Sequence, residues 1–202
     1  ALPIYTNFSR TLKDGYRENS NSRKDNLGFG LDYDINENNK IKMNYSYNES
    51  DIKYAGALTE AQLEVDRTDS ISGFGEFFTR KNNYSLTYEY DKDNIKIENT
   101  LNYNKKFSEG WSKIDTSFLS NEFKFKYNYK NNSLITGIDI SEGSSKTNGV
   151  DKIIKNQLGL FALNTYNFND DLSINTGYRN EAIKLSYPSG KEKKYSENLF
   201  SL

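Results

Sequence analysis

The sequence predicts an all-β protein, an antiparallel up-and-down meander of about ten strands forming part of a transmembrane β-barrel. Three observations carry this. Apolar and aromatic residues recur with period 2 along most of the chain, which places them on one face of a sheet because successive side chains of a strand point opposite ways. Tyr (16) and Phe (12) are abundant although hydrophobic residues make up 35% of the 202 positions and mean hydropathy is −0.88. Short polar turns alternate with longer polar connections, the asymmetry of a barrel with tight turns at one end and loops at the other.

The clearest hairpin is Asn26–Tyr47, where Leu27, Phe29, Leu31, Tyr33 and Ile35 alternate with Gly28, Gly30, Asp32 and Asp34. After the turn Asn36–Asn39, Ile41, Met43, Tyr45 and Tyr47 alternate with Lys42, Asn44 and Ser46. Before it, Ile4, Thr6, Phe8, Arg10 and Leu12 share a parity in a strand from Pro3 to Lys13, followed by a polar loop, Asp14–Asp25. From Asn48 to about Lys81 the alternation fails. Within that stretch Leu58–Arg67 predicts a helical turn, with Thr59 as N-cap and Gln62 at capping-box spacing.

Strands resume at Tyr84, Leu86, Tyr88 and Tyr90, turn at Asp91–Asn94, and continue through Ile95, Ile97, Leu101 and Tyr103. Lys105–Ser120 reads as a long connection containing the sole tryptophan, Trp111. Phe123, Phe125, Tyr127 and Tyr129 lead through Lys130–Asn132 to Leu134, Thr136, Ile138 and Ile140. Gly143–Asn156 reads as another long connection, and Leu158, Leu160, Ala162, Tyr166 and Phe168 as the next strand. A tight turn at Asn169–Asp171 opens the strand of Leu172, Ile174, Thr176 and Tyr178. The apolar parity then flips to Ile183, Leu185 and Tyr187, which predicts either a bulge or a strand that has left the layer where facing matters. Pro188–Glu197 reads as a polar connection and Asn198–Leu202 as the start of a further strand.

The polar parity carries Asp32, Asp34, Lys42, Glu89, Lys96, Glu98, Lys124, Lys126 and Asp139. In a barrel these face a hydrated lumen; in a soluble sheet they face solvent. Either environment gives them a solvated role rather than a catalytic one. Without Cys or His, the chain has no disulfide, no thiolate or imidazole metal site, and no triad that needs either residue. No nucleophile motif or phosphate loop is present, and Gly28 and Gly30, inside a strand, suit packing or a bulge. With 27 basic and 28 acidic residues spread evenly, no basic patch invites nucleic acid. No cofactor and no enzymatic role is predicted. No run of about 18 apolar residues forms a transmembrane helix, and Ala1–Phe8 lacks the basic-then-apolar order of a signal peptide.

Three segments resemble a known family. Phe8–Ser20, FSRTLKDGYRENS, is similar to the strand and DGYR-N-S loop of TonB-dependent outer-membrane receptors. Tyr54–Arg67, YAGALTEAQLEVDR, resembles an extracellular loop of the ferric-siderophore and ferric-citrate branch, with Ala55 where proline is usual. Gly159–Glu181 resembles the later signature, an aromatic strand, an Asp-containing turn and a strand ending in G-x-R, here Gly177-Tyr178-Arg179. The matches lie in family order. The resemblance implies an outer-membrane receptor importing a ferric-siderophore-like chelate in Gram-negative cells, driven by the TonB complex acting on a plug domain within a barrel of about 22 strands. Residues 1–202 then represent one stretch of barrel wall, roughly its first half, without the plug. The resemblance places ligand-binding residues on the long-loop side: Tyr16, Arg17, Tyr54, Gln62, Arg67, Arg80 and Trp111. Anionic chelates favour Arg, while Tyr and Gln supply hydrogen bonds. Two other readings fit the patterning: a soluble or surface-exposed β-domain that binds a partner, and a small closed ten-strand barrel acting as a passive pore or adhesin.

Overall fold

A computed structural model describes residues 3–71, 75–149, 152–169 and 171–201. Ten antiparallel strands form one sheet in sequence order: β1 (Ile4–Lys13), β2 (Ser22–Asn36), β3 (Asn39–Lys53), β4 (Glu76–Lys92), β5 (Ile95–Glu109), β6 (Lys113–Tyr129), β7 (Asn132–Thr147), β8 (Ile153–Asn167), β9 (Ser173–Ser186) and β10 (Glu192–Ser201). β1 and β10 each have a single neighbour, so the sheet is open. The closed ten-strand barrel among the initial readings is thereby corrected.

Cross-strand register shows which side chains share a face. Leu27 pairs with Tyr47, Phe29 with Tyr45 and Leu31 with Met43. Tyr45 continues to Tyr84 and Met43 to Leu86, then to Tyr103 and Leu101. Farther along, Phe123 pairs with Ile138 and Ile138 with Leu160. One face therefore carries an aliphatic band. It is flanked toward the long loops by tyrosines, with the rings of Tyr45 and Tyr84 4.9 Å apart and those of Tyr84 and Tyr103 6.1 Å apart. Toward the tight turns it is flanked by Tyr127 and Tyr129, stacked at 6.3 Å, and by Tyr166 against Phe168 at 4.7 Å. An apolar band between aromatic girdles is the outer surface of a membrane barrel.

The sheet is a single layer. Ala55 is the sole buried hydrophobic residue among those described, and none of the large side chains is fully buried. The chain exposes 13920 Å², against roughly 9,700 Å² for a compact monomer of this 23.3 kDa mass. A soluble domain would bury Leu27, Phe29, Leu86 and Leu101 in a core; here they stay exposed on one side.

The strands are longer than the alternation alone predicts, and several predicted connections shrink. Lys105–Ser120 is mostly strand, with only residues 110–112 turning between β5 and β6. The predicted loops Gly143–Asn156 and Pro188–Glu197 reduce to 148–152 and 187–191, while those at 14–25 and 48–81 reduce to 14–21 and 54–75. The physical reason is common to all. Outside the apolar band both faces are polar, so alternation carries no signal, yet backbone ladders pair as well there as within it. Ion pairs such as Lys113–Glu109, 2.6 Å apart across the 110–112 turn, support these extensions. At the opposite end the turns are residues 37–38, 93–94, 130–131 and 168–172. In the predicted Asn169–Asp171 turn the middle residue lies outside the described set; Asn169 Oδ1 accepts hydrogen bonds from the amides of Asp171 and Leu172 at 3.0 and 2.8 Å. The long-loop asymmetry thus persists only in 14–21 and 54–75.

The predicted helical turn is α1 (Glu60–Val65), capped by Thr59 and Gln62 in a reciprocal capping box. The parity flip in β9 involves no bulge. Pairing runs without interruption from Gly177 to Ser186, so Ile183 and Leu185 lie on the polar face with Arg179 near the long-loop end. β9 stays within the sheet throughout, so the flip is a change in which face carries the apolar side chains.

Candidate ligand-binding rim and inner wall

All nine charged residues assigned to the polar parity share the second face. Two adjacent register rows hold most of them. Asp32, Lys42, Thr87, Thr100, Glu122 and Asp139 form one row; Asp34, Lys40, Glu89, Glu98 and Lys124 form the next. Lys42 Nζ lies 2.6 Å from Glu89 Oε1, and Lys124 pairs with Glu122 and, at 3.6 Å, with Glu98. Arg179 bridges Asp139 at 2.6 Å and Glu181 at 3.1 Å, while Gln157 Nε2 donates to Glu181 at 2.8 Å. Cations and anions therefore interlock across the wall, which suits a hydrated or protein-filled lumen.

Small residues make room on this face. A Cβ at Gly30 would fall against the ring of Tyr5, and one at Gly137 would lie 2.4 Å from both the Phe123 carbonyl oxygen and the Phe161 ring. Gly28 and Gly30 therefore serve packing, and the only register shift in β2 lies elsewhere, between Asp34 and Asn36.

At the long-loop end the sequence-predicted site residues separate into three groups. Tyr54, Trp111 and a residue that sequence reasoning missed, Phe77, form one. Phe77 pairs with Ile52 on the inner-face parity. Its ring meets Tyr54 edge-on at 5.3 Å and Trp111 at 5.1 Å. Gly110 permits this, because a Cβ there would lie 2.5 Å from the Phe77 ring. Trp111 is 81% exposed and Tyr54 50%, so the chain of rings presents open aromatic surface to the rim. Tyr16, 76% exposed, and Arg67, also exposed, stand on the two long loops. Among the described residues Arg67 has no ion-pair partner.

Arg17 and Gln62 form the second group, and both are engaged within the loops. The Arg17 guanidinium donates to the carbonyl oxygens of Gly56 (2.5 Å), Asp69 (3.0 Å) and Ala55 (3.4 Å). Gln62 Oε1 accepts from the Thr59 amide and hydroxyl, each at 2.9 Å. These side chains shape the rim.

Arg80 stands alone in the third. Glu49 pairs with Arg80 and Tyr45 with Tyr84, so Arg80 lies on the apolar-face parity, outside the wall. It donates to Glu49 Oε2 from Nε at 3.2 Å and from Nη2 at 3.1 Å. The signal was present in the sequence: Arg80, Asn82 and Tyr84 share parity, but the stretch read as loop.

A single-layer wall with a lipid-type outer face, an ion-paired inner face and its long loops at one end defines a large transmembrane β-barrel. Residues 2–201 match the family described as TonB dependent receptor-like, beta-barrel, and the chain belongs to that family, one of receptors and transporters rather than enzymes. The comparison with curated proteins finds no match. Among solved structures it resembles BauA, the ferric preacinetobactin receptor from Acinetobacter baumannii, at TM-score 0.81 and 11% identity, covering 98% of this chain and 40% of that one. It also resembles the FrpB iron transporter from Neisseria meningitidis (TM-score 0.80, 11% identity, 98% and 38% covered). A third is the ferric citrate transporter FecA in its unliganded form (TM-score 0.77, 16% identity, 98% and 35% covered). The chain thus spans well under half the length of these structures. At such identities the likeness establishes the fold, and a copper transporter, OprC, shares it too (TM-score 0.72, 13% identity, 98% and 36% covered).

Proposed function

We propose that this chain forms part of the barrel wall of a Gram-negative outer-membrane receptor that imports a ferric-siderophore-like chelate, with Tyr16, Tyr54, Phe77, Arg67 and Trp111 as the capturing group. The observation that carries the reading is the Tyr54–Phe77–Trp111 chain of rings at the long-loop end on the inner-face parity. Open aromatic edges and faces accept the apolar parts of a chelator, and the exposed Arg67 guanidinium supplies charge-assisted donors to its anionic oxygens. Capture forms and breaks no covalent bond. The iron is cargo, and passage through the lumen draws on the TonB complex acting through a plug domain seated against the ion-paired inner wall. The iron-chelate receptors among the similar structures support this choice of cargo class.

The test uses the full-length receptor and a panel of ferric catecholate, hydroxamate and citrate chelates. Arg67→Ala and Trp111→Ala each weaken binding of the cognate chelate about tenfold or more, the scale of one charge-assisted or aromatic anchor. Arg80→Ala, on the opposite face, leaves it unchanged. Unaltered affinity in both rim variants would remove these residues from capture.

A further inference from the structure

One section of the inner face carries no charge. We infer that Tyr5, Asn7, Asn44, Asn102 and Asn104 line a lumenal binding site for a neutral disaccharide. The site is separate from the aromatic rim and takes from the reading above only that this face lines a lumen.

Two adjacent register rows build it. Tyr5, Gly30, Asn44, Ser85 and Asn102 form one across β1 to β5, and Asn7, Gly28, Ser46, Asn83 and Asn104 form the next. No member of either row bears a charge. Charges flank the rows instead, Asp32 and Lys42 on the tight-turn side and Lys81 and Lys106 on the long-loop side. The Tyr5 hydroxyl donates to Asn44 Oδ1 on β3, so the ring spans β2 and lies flat over Gly30, where a Cβ would meet it. Asn7 lies over Gly28 in the same way. Glycine thus lowers the floor, and the open face of Tyr5, 54% exposed, looks into the lumen. Together the rows enclose a shallow depression of about 270 Å³.

Hydrogen-bonding capacity here is largely unspent. Asn83 Nδ2 donates to Ser46 Oγ at 2.7 Å, but the side chains of Asn7, Ser85, Asn102 and Asn104 make no hydrogen bond among the described residues. Each amide offers a donor beside an acceptor, the pairing that vicinal hydroxyls return, and the open face of Tyr5 takes the C–H face of a sugar ring. An anionic ligand would find no cation within the rows, and an apolar one would leave these amides desolvated and unpaired. The Tyr5 ring over β2 and Asn102 on β5 are three strand spacings apart, roughly 14 Å. One sugar ring stacked on Tyr5 therefore stops short of the β5 amides, whereas a disaccharide reaches them.

The test is saturation-transfer difference NMR on the full-length receptor in a sugar-free detergent, with maltose, cellobiose, trehalose, trehalose 6-phosphate and triglycine as probes. At least one neutral disaccharide should receive saturation at the C–H protons of one ring. Trehalose 6-phosphate should gain nothing over trehalose, and triglycine should stay silent. Asn102→Ala/Asn104→Ala should weaken the best disaccharide about tenfold, the scale of two neutral hydrogen bonds, and Tyr5→Ala should abolish transfer to the stacked ring. Arg80→Ala, on the outer face, is the unchanged control, and heat-modifiable migration reports that each variant folds. Silence from all three neutral disaccharides, stronger transfer from the phosphate or from triglycine, or unaltered affinity in the folded double asparagine variant would each overturn the site. No chelate is present, so the rim reading can fail without touching this result.

Discussion

Arg17 Nη1 donates to the carbonyl oxygen of Gly56 at 2.5 Å, tying the loop after β1 to the loop after β3. Gly56 adopts φ 75°, a conformation that frees its carbonyl to face the guanidinium and that other residues rarely take. Backbone bonds continue the junction: Glu18 N–H donates to Thr68 O at 2.7 Å and Ile71 N–H to Ala55 O at 2.9 Å. Arg17→Ala should therefore release both loops together, at a local cost of about 2 kcal/mol for a charged donor losing several carbonyls. Hydrogen exchange at Glu18 and Ile71 should quicken roughly thirtyfold, following the factor of ten per 1.4 kcal/mol. Unchanged exchange at these amides would show that the loops hold independently.

The Gly30–Tyr5 contact gives a second prediction. Gly30 is buried and Tyr5 covers it, the hydroxyl reaching Asn44 Oδ1 on β3. Gly30→Ala forces the ring away and breaks that bond, with overpacking cost of about 1–3 kcal/mol. Tyr5→Ala removes the obstacle, so Gly30→Ala should be far better tolerated in the Tyr5→Ala background than alone. A double-mutant cycle on urea unfolding in micelles measures this coupling, and additive effects would contradict it.

Much of the architecture was legible because the membrane enforces one-sided patterning. Leu27–Ile35 and Ile41–Tyr47 meet lipid on one parity only, so each side chain's face can be counted off. The nine charges of the polar parity are arranged together for the same reason. Legibility ends where the lipid ends. Around Lys105, Ser108, Thr116 and Ser117 both faces are wet, nothing penalises a polar residue on either, and strand reads as loop. That boundary hid the face on which Arg80 lies and hid Phe77, although both follow from counting back from Tyr84. The capping box survived because Thr59 and Gln62 satisfy backbone groups within four residues, a local requirement independent of tertiary context.

On the inner wall, Arg179 neutralises two carboxylates, Glu181 on its own strand β9 and Asp139 on β7, which it reaches across β8. Asp139 Oδ1 is buried without a partner, so this guanidinium is its main compensation among the described residues. Arg179→Leu should destabilise the wall by about 1–2 kcal/mol, less than a fully buried pair because the side chains stay partly exposed. Adding Asp139→Asn should recover most of the loss. Refolding midpoints of the single and double variants decide it: an equal loss in both would show that charge on Asp139 is not the cause.

The β3–β4 loop should loosen in acid through Asp66. Its carboxylate accepts the Thr68 hydroxyl at 2.6 Å and the Thr68 amide at 2.7 Å. These bonds, the hydroxyl foremost, hold its pKa below the usual aspartate range. A lowered folded-state pKa means the contribution is complete above the ordinary aspartate pKa and disappears as pH falls through the folded value. Protection of the Thr68 amide should thus stay level from pH 7 to 5 and decline only below about pH 4. Thr68→Val removes the hydroxyl while keeping the amide, so its decline should begin at higher pH. Coincident acid profiles for the two proteins would assign the loop's acid sensitivity to another carboxylate.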